Sequence, residues 1–229
     1  MNVDAALRYL PVVKLISKRQ NNFKKPILEV GSGTNGISDF YEGKVTGLDS
    51  DFSKTKLKKN PNMTHIKGSI FKIPFKANYF SIVICLDTFE HLPQEKRTLA
   101  LEELLRVTKK KGRVFLGFPT GLLSKFTEKL ATTLYKKTRQ KDYPWLKEHE
   151  YFGLPDQEVI TKYLNSKRLK FKKISNHNLL IWLGVFFLYM VNEGNKIGKA
   201  ADLFSPLILR FCLAIKFPPF YRIIFLIEK

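Results

Sequence analysis

Apolar and polar positions along the chain change period in a repeating order. Ala6, Leu7, Leu10, Val13 and Leu15 recur at helical spacing. They give way, through the breaker Asn21-Asn22, to Pro26-Ile27-Leu28-Glu29-Val30, which reads as a buried strand. This strand runs straight into Gly31-Ser32-Gly33-Thr34-Asn35-Gly36, a turn expected to open a helix. A second strand, Lys44 to Leu48, ends at Asp49, and a lysine-rich helix or loop follows over 53–59. The stretch 64–68 suggests a third strand. Residues 79–86 form an almost continuous apolar fourth, the pattern of a strand covered on both faces of a parallel sheet. Leu99, Leu101, Leu104, Leu105 and Val107 then place a helix over 95–108, with Lys109-Lys110-Lys111-Gly112 closing it before a strand over 113–118 that Pro119 stops.

Beyond Pro119 the pattern becomes a long basic helical region. It is followed by a helix over 156–166 with Ile160 and Leu164 facing inward, a strand over 169–174, and a final strand over 221–227. Strand, helix, strand in this repeated order predicts an α/β fold: a doubly wound, Rossmann-like, mostly parallel seven-stranded sheet with helices on both faces. A barrel would need more such units than the chain can supply. The last two strands are separated by far more than an ordinary loop of about 4–6 residues. Residues 175–217 therefore read as a helical insertion before the last strand. At 229 residues the whole chain, 1–229, reads as a single domain with a core over 26–119.

Composition narrows the function. An apolar share of 44% and a charged share of 26% exclude a disordered or collagen-like chain. Lys+Arg 40 against Asp+Glu 20 leaves a net charge of +20, which suits an anionic partner or a lysine bias that only aids solubility. Cys85 and Cys212 stand far apart, with no Cys/His spacing of metal-ligand type, so no metal is expected. The first twenty positions contain Asp4 and Pro11 and lack an apolar core with a cleavage site, so the chain is expected to be cytoplasmic. The longest apolar run, 179–191, falls short of the roughly 20 residues that a membrane-spanning helix needs.

Gly31, Gly33 and Gly36 let backbone approach a ligand closely, and taken literally they spell the dinucleotide fingerprint, with Asp49 near the distance for ribose hydroxyls. Two cofactors fit such a loop. A dinucleotide brings a pyrophosphate, whereas S-adenosyl-L-methionine brings a sulfonium and an ammonium, which suit a nearby carboxylate. Glu29, two residues before Gly31, separates the readings in favour of the second.

With these residues the chain resembles the class I S-adenosylmethionine-dependent methyltransferases. The resemblance is carried by Ile27-Leu28-Glu29-Val30-Gly31-Ser32-Gly33, by Val45 to Asp49, by Gly68-Ser69-Ile70 with Ile73-Pro74-Phe75, by Asn78 to Leu92, and by Glu102 to Gly112. Two positions depart from the family pattern: Asn35 stands where its third glycine is usual, and Ser69 where an acidic residue is often found. The resemblance implies that Glu29, Gly31, Ser32 and Gly33 border the methionine part, that Asp49 binds the ribose, that Ser69 and Ile70 border the adenine, and that Asp87 faces the cofactor near the sulfonium.

Methyl transfer from a sulfonium needs positioning more than a protein nucleophile. A general base is required only for a weakly acidic hydroxyl, and His91 and His149 are the candidates. His65 and His177 lack useful neighbours, whereas Glu148-His149-Glu150-Tyr151 before a helix suggests a substrate wall. The motif Phe217-Pro218-Pro219-Phe220 resembles that of nucleic-acid amino-methylating enzymes but lies in the wrong place, and the basic runs lack interleaved aromatic rings. A nucleic-acid partner is therefore disfavoured against a small-molecule, glycan or lipid-linked acceptor, with a non-catalytic binding module as the other alternative. The insertion is expected to cover the cofactor mouth and supply the acceptor pocket. Its run Leu179 to Leu188 is apolar on every side and flanked by Lys196, Lys199, Arg210 and Lys216, which suits peripheral attachment to an anionic membrane face, with burial in an enlarged core or a dimer interface as the standing alternative. Oligomeric state is not legible.

Overall fold

The structure, a computed structural model, describes residues 2–17, 26–52 and 60–229. The breaker Asn21-Asn22 and the lysine-rich run 53–59 lie outside the described residues. Among the described residues seven strands form one sheet: β1 (Ile27–Val30), β2 (Val45–Asp49), β3 (Met63–Lys67), β4 (Phe80–Leu86), β5 (Thr108–Pro119), β6 (Lys170–Asn178) and β7 (Phe220–Glu228). Their order is β3-β2-β1-β4-β5-β7-β6. β1 to β5 pair in parallel, and β7 runs antiparallel to both neighbours, β5 and β6. The strand order reverses between β1 and β4, so a crevice opens at their carboxyl ends, the usual ligand position in open α/β sheets.

Alternate residues of β4 feed two cores, as its unbroken apolar sequence requires. Val83 and Cys85 pack under α2 (Arg97–Val107) and α5 (Gln157–Ser166), whereas Ile82, Ile84 and Leu86 pack under α1 (Val3–Ser17). Ile160 and Leu164 face inward as their spacing predicts. The buried face of α1 is Val3, Ala6, Leu7, Tyr9, Val12 and Ile16, so Leu10, Val13 and Leu15 sit at its margin instead.

Two local expectations are corrected. The glycine turn leads only into a short 3-10 turn, Gly36–Asp39. There the Ser38 hydroxyl donates to the Asn35 carbonyl and the Asn35 amide to Asp39, local bonds that compete with a longer helix. Lys109-Lys110-Lys111 does not close α2; the helix ends at Val107 and these lysines are already exposed strand. The α2 terminus is capped from elsewhere, because the Lys229 ammonium donates to the carbonyls of Arg106 and Thr108.

The basic region after Pro119 forms α3 (Leu122–Arg139) and α4 (Pro144–Phe152). The insertion begins at residue 179, later than expected, because β6 continues to Asn178, whose side chain caps α6 (Leu179–Phe186) through the amides of Leu180 and Ile181. A π-helical turn (Phe187–Val191), α7 (Lys196–Leu203) and α8 (Ser205–Ala214) complete it. Trp182 stacks on Tyr221 with ring centroids 4.0 Å apart, and Leu179 and Phe186 join the same cluster under α3, whereas Val185 packs with Leu209 and Cys212 against α1. Most of α6 is thus absorbed into the protein's own core, leaving Leu180 exposed, and Phe187 at the start of the π-helical turn is exposed as well.

Candidate functional site

A cavity of about 850 Å³ opens at the carboxyl ends of β1, β2 and β4. Its floor is the loop after β1, where Gly31 (φ 75°) and Gly33 (φ 54°) adopt left-handed backbone. At Gly31 a Cβ would meet the Thr88 hydroxyl oxygen at 2.0 Å, so this close approach of two loops admits no side chain. The Asp49 carboxylate closes the loop from β2: Oδ2 accepts from the Gly33 amide at 2.9 Å and Oδ1 from the Asp51 amide at 3.1 Å. Gly31, Ser32, Gly33, Asp49, Ser69, Ile70 and Asp87 all line the cavity.

Glu29 does not line it. Its carboxyl is buried beneath the loop, where it accepts from the Ile37 amide at 2.8 Å and pairs with the Tyr9 hydroxyl. Burial pushes its pKa up to about 8. A Cβ on Gly36 would fall 2.0 Å from that carboxyl, so Glu29 supports the loop through the space that Gly36 leaves. Glu29 thus holds the glycine loop from beneath, on the side away from the cavity lining.

Asp87 differs from the sequence reading in its partners. Arg222 grips its carboxylate with two guanidinium nitrogens, one at 2.6 Å, and Arg8 Nε stands 3.0 Å away. Arg222 also meets His177 Nδ1 at 2.9 Å, and Arg8 is paired with Asp4 at 2.7 Å. Burial and the Arg222 charge hold the His177 imidazole down to about 3, so it stays neutral. Asp87 is thus the centre of a largely buried ion network rather than a free carboxylate. Arg8, Arg222 and His177 were not singled out for the site; each comes from a distant element, and only their residue types were legible.

The opposite wall carries the two candidate histidines. His91 lies in the 3-10 turn Phe89–His91 after β4, and His149 in α4. Their Nε2 atoms face each other at 3.4 Å. His149 Nδ1 lies 3.0 Å from Glu128, which also accepts the Tyr221 hydroxyl at 2.6 Å. Burial alone would lower the His149 pKa, but Glu128, Glu90 and Asp87 outweigh it and raise it. His91 is held down to about 3, by burial first and then by His149. The Glu148-to-Tyr151 stretch is itself part of α4: Glu148 and His149 reach the cavity, whereas Tyr151 points to solvent. His65, set aside as ordinary, meets the Thr34 carbonyl beside the glycine loop. Trp182, Val185, Phe186 and Met190 of the insertion, with Tyr143 and Trp145, form the apolar part of the lining.

The mostly parallel sheet with one reversed strand, the glycine loop after β1 and the acidic end to β2 go with the fold of solved methyltransferase structures. Residues 28–116 match the methyltransferase domain family. An uncharacterized protein of Methanocaldococcus jannaschii is 30% identical over 124 residues, which cover 51% of this chain and 50% of that protein. The match thus spans about half the length of that relative. Among solved structures, a magnesium protoporphyrin IX methyltransferase from Synechocystis with bound S-adenosylhomocysteine shares 15% identity, with a TM-score of 0.56 over 99% of this chain and 84% of that one. A methyltransferase from Archaeoglobus fulgidus shares 12% identity, with a TM-score of 0.56 over 98% of this chain and 94% of that one. A methyltransferase from Thermotoga maritima shares 14% identity, with a TM-score of 0.58 over 98% of this chain and 91% of that one.

Proposed function

We propose that the chain transfers the methyl group of S-adenosyl-L-methionine to an acceptor held in this cavity. The observation that carries the reading is the clasp of the Asp49 carboxylate on the Gly33 amide, which fixes a glycine loop and an acidic side chain together at the strand-order reversal, a geometry that suits a ribose. The loop amides and Gly31 take the methionine part, Asp49 the ribose hydroxyls, and Ser69 and Ile70 the adenine. Glu29 keeps the loop in shape from beneath. Methyl transfer is an in-line displacement from an activated sulfur, so the residues' main contribution is to hold the acceptor about 3 Å from the methyl carbon with water excluded. The α1 residues Asp4, Arg8 and Tyr9 and the insertion residues Trp182 and Phe186 close over that space, and His91 and His149 meet the acceptor.

The aromatic lining favours an acceptor with an apolar body, a small molecule or a lipid-linked one. Membrane attachment is supported by α3, where Leu122, Leu123, Phe126 and Leu130 are exposed among Lys125 and Lys129, while Ser124, Thr127 and Glu128 face inward. An apolar outer face edged by lysines suits an anionic membrane surface. The insertion adds exposed Leu207 and Phe211 beside Arg210. No helix among the described residues is long and apolar enough to cross a membrane. The test is incubation with methyl-labelled S-adenosylmethionine and candidate acceptors, read by mass spectrometry: a labelled product supports the reading, and cofactor binding without any turnover favours a binding module.

A further inference from the structure

Glu90, His91 and His149 each place one ligand atom so that all three lie within 4.8 Å of one another, on the wall of the cavity. His149 stands 58 positions from His91 and reaches it through the packing of α4 on the turn after β4. Three features make it a built site. His149 Nδ1 is directed at the Glu128 carboxylate, which fixes the proton there and leaves the Nε2 lone pair facing the cavity, the carboxylate–histidine arrangement that supports metal-ligating imidazoles. His91 Nδ1 stands 2.8 Å from the Glu148 carboxylate as an ion-pair contact without hydrogen-bond geometry, and its Nε2 is the atom that meets His149. Glu90 is 1% exposed, and its Oε2 has no hydrogen-bond partner. The two imidazole nitrogens can share one proton, whereas the buried Glu90 oxygen without a hydrogen-bond partner beside them is an acceptor that a cation would satisfy.

We propose that Glu90, His91 and His149 bind a divalent cation of the zinc type, with a further coordination position open to the cavity. The geometry agrees with the chemistry: at a metal–nitrogen distance of ~2.1 Å, nitrogens 3.4 Å apart subtend about 110° at the ion, close to tetrahedral. Two imidazoles and one carboxylate select a borderline transition metal over magnesium, which takes oxygen ligands.

The role of the open position rests on the methyl-transfer reading. An acceptor hydroxyl bound there loses its proton to solvent under the ion's charge. Its oxygen then forms a bond to the methyl carbon as the carbon–sulfur bond breaks, and sulfur keeps the electron pair. The products are S-adenosylhomocysteine, the methyl ether and one proton. The cavity is thereby assigned to an oxygen acceptor.

The test is calorimetric titration of zinc chloride into the full chain after chelator treatment, followed by cobalt(II) absorption of the same protein. One ion per chain is expected, with an intense tetrahedral cobalt spectrum. His91→Ala and His149→Ala should each weaken zinc binding by at least on the order of 100-fold. If circular dichroism shows the buried His149 variant to be unfolded, His91→Ala and the wild-type cobalt spectrum decide. Absence of stoichiometric zinc binding by the wild-type chain, or unchanged affinity in the folded histidine variants, overturns the site. S-adenosylhomocysteine titrated into the zinc-free chain tests the methyl-transfer reading separately, so zinc binding without cofactor binding would remove the acceptor role and keep the metal site.

Discussion

The carboxylate of Asp49 accepts a hydrogen bond from the amide of Gly33 at 2.9 Å, joining the end of β2 to the loop after β1. Sixteen positions separate the two residues, and neither element alone would fix the loop. The contact keeps a carboxylate at the mouth of a cavity whose backbone floor is already left-handed at Gly31 and Gly33. On the proposed reading, ribose binding by Asp49 and loop order are therefore coupled, and a variant at either position disturbs both.

Glu29 makes cofactor-free stability depend on pH. Its folded pKa is raised by burial to about 8 from an ordinary 4.5, so the folded state favours the neutral carboxyl. The stabilisation is complete below about pH 4.5 and is lost as pH rises through 8, by on the order of a few kcal/mol. Glu29→Gln keeps an acceptor for the Ile37 amide and a partner for Tyr9 without the ionisation. Urea unfolding of both proteins across pH 5–9 should show the variant gaining on the wild type as pH rises. Parallel curves would contradict the account.

Arg222 is buried and holds Asp87 with two guanidinium nitrogens. Arg222→Ala leaves a buried carboxylate with Arg8 as its remaining cation and should cost about 3–5 kcal/mol in chemical denaturation. Arg222→Ala with Asp87→Asn should recover part of the loss, because the unpaired charge is gone. A double variant less stable than Arg222→Ala would show that the ion pairing is not the cause.

Membrane attachment through α3 is checked by sedimentation with anionic liposomes. Binding should fall with salt, and Phe126→Asp, which alters an exposed side chain, should reduce it while leaving cofactor affinity unchanged. A chain that stays in the supernatant at low and high salt while binding cofactor acts on a soluble acceptor.

The cofactor half of the molecule was legible because its signals are local. The β1 apolar run, the glycines at fixed spacing and Asp49 at a strand end sit within one stretch of chain, and alternation along β4 reports burial on both faces. The ion network was not legible: Arg222 is 135 positions from Asp87, and an arginine in an apolar strand carries no mark of its partner. The same holds for the His91–His149 pair. Glu29 was found for its position, but its contacts with the Ile37 amide and Tyr9 were not legible, since periodicity cannot say which side of a loop a carboxyl occupies. The insertion was recognised from its length, but an all-apolar helix fits lipid and core equally until Trp182 is seen on Tyr221.

The central claim, that this cavity binds S-adenosylmethionine, is tested most directly by calorimetry of S-adenosylmethionine and S-adenosylhomocysteine with the wild-type chain and Asp49→Ala. The account predicts one site per chain and a loss of roughly 1.5–3 kcal/mol in the variant, the range for hydrogen bonds to a charged group. No binding by the folded wild-type chain, or equal affinity in Asp49→Ala, would contradict it.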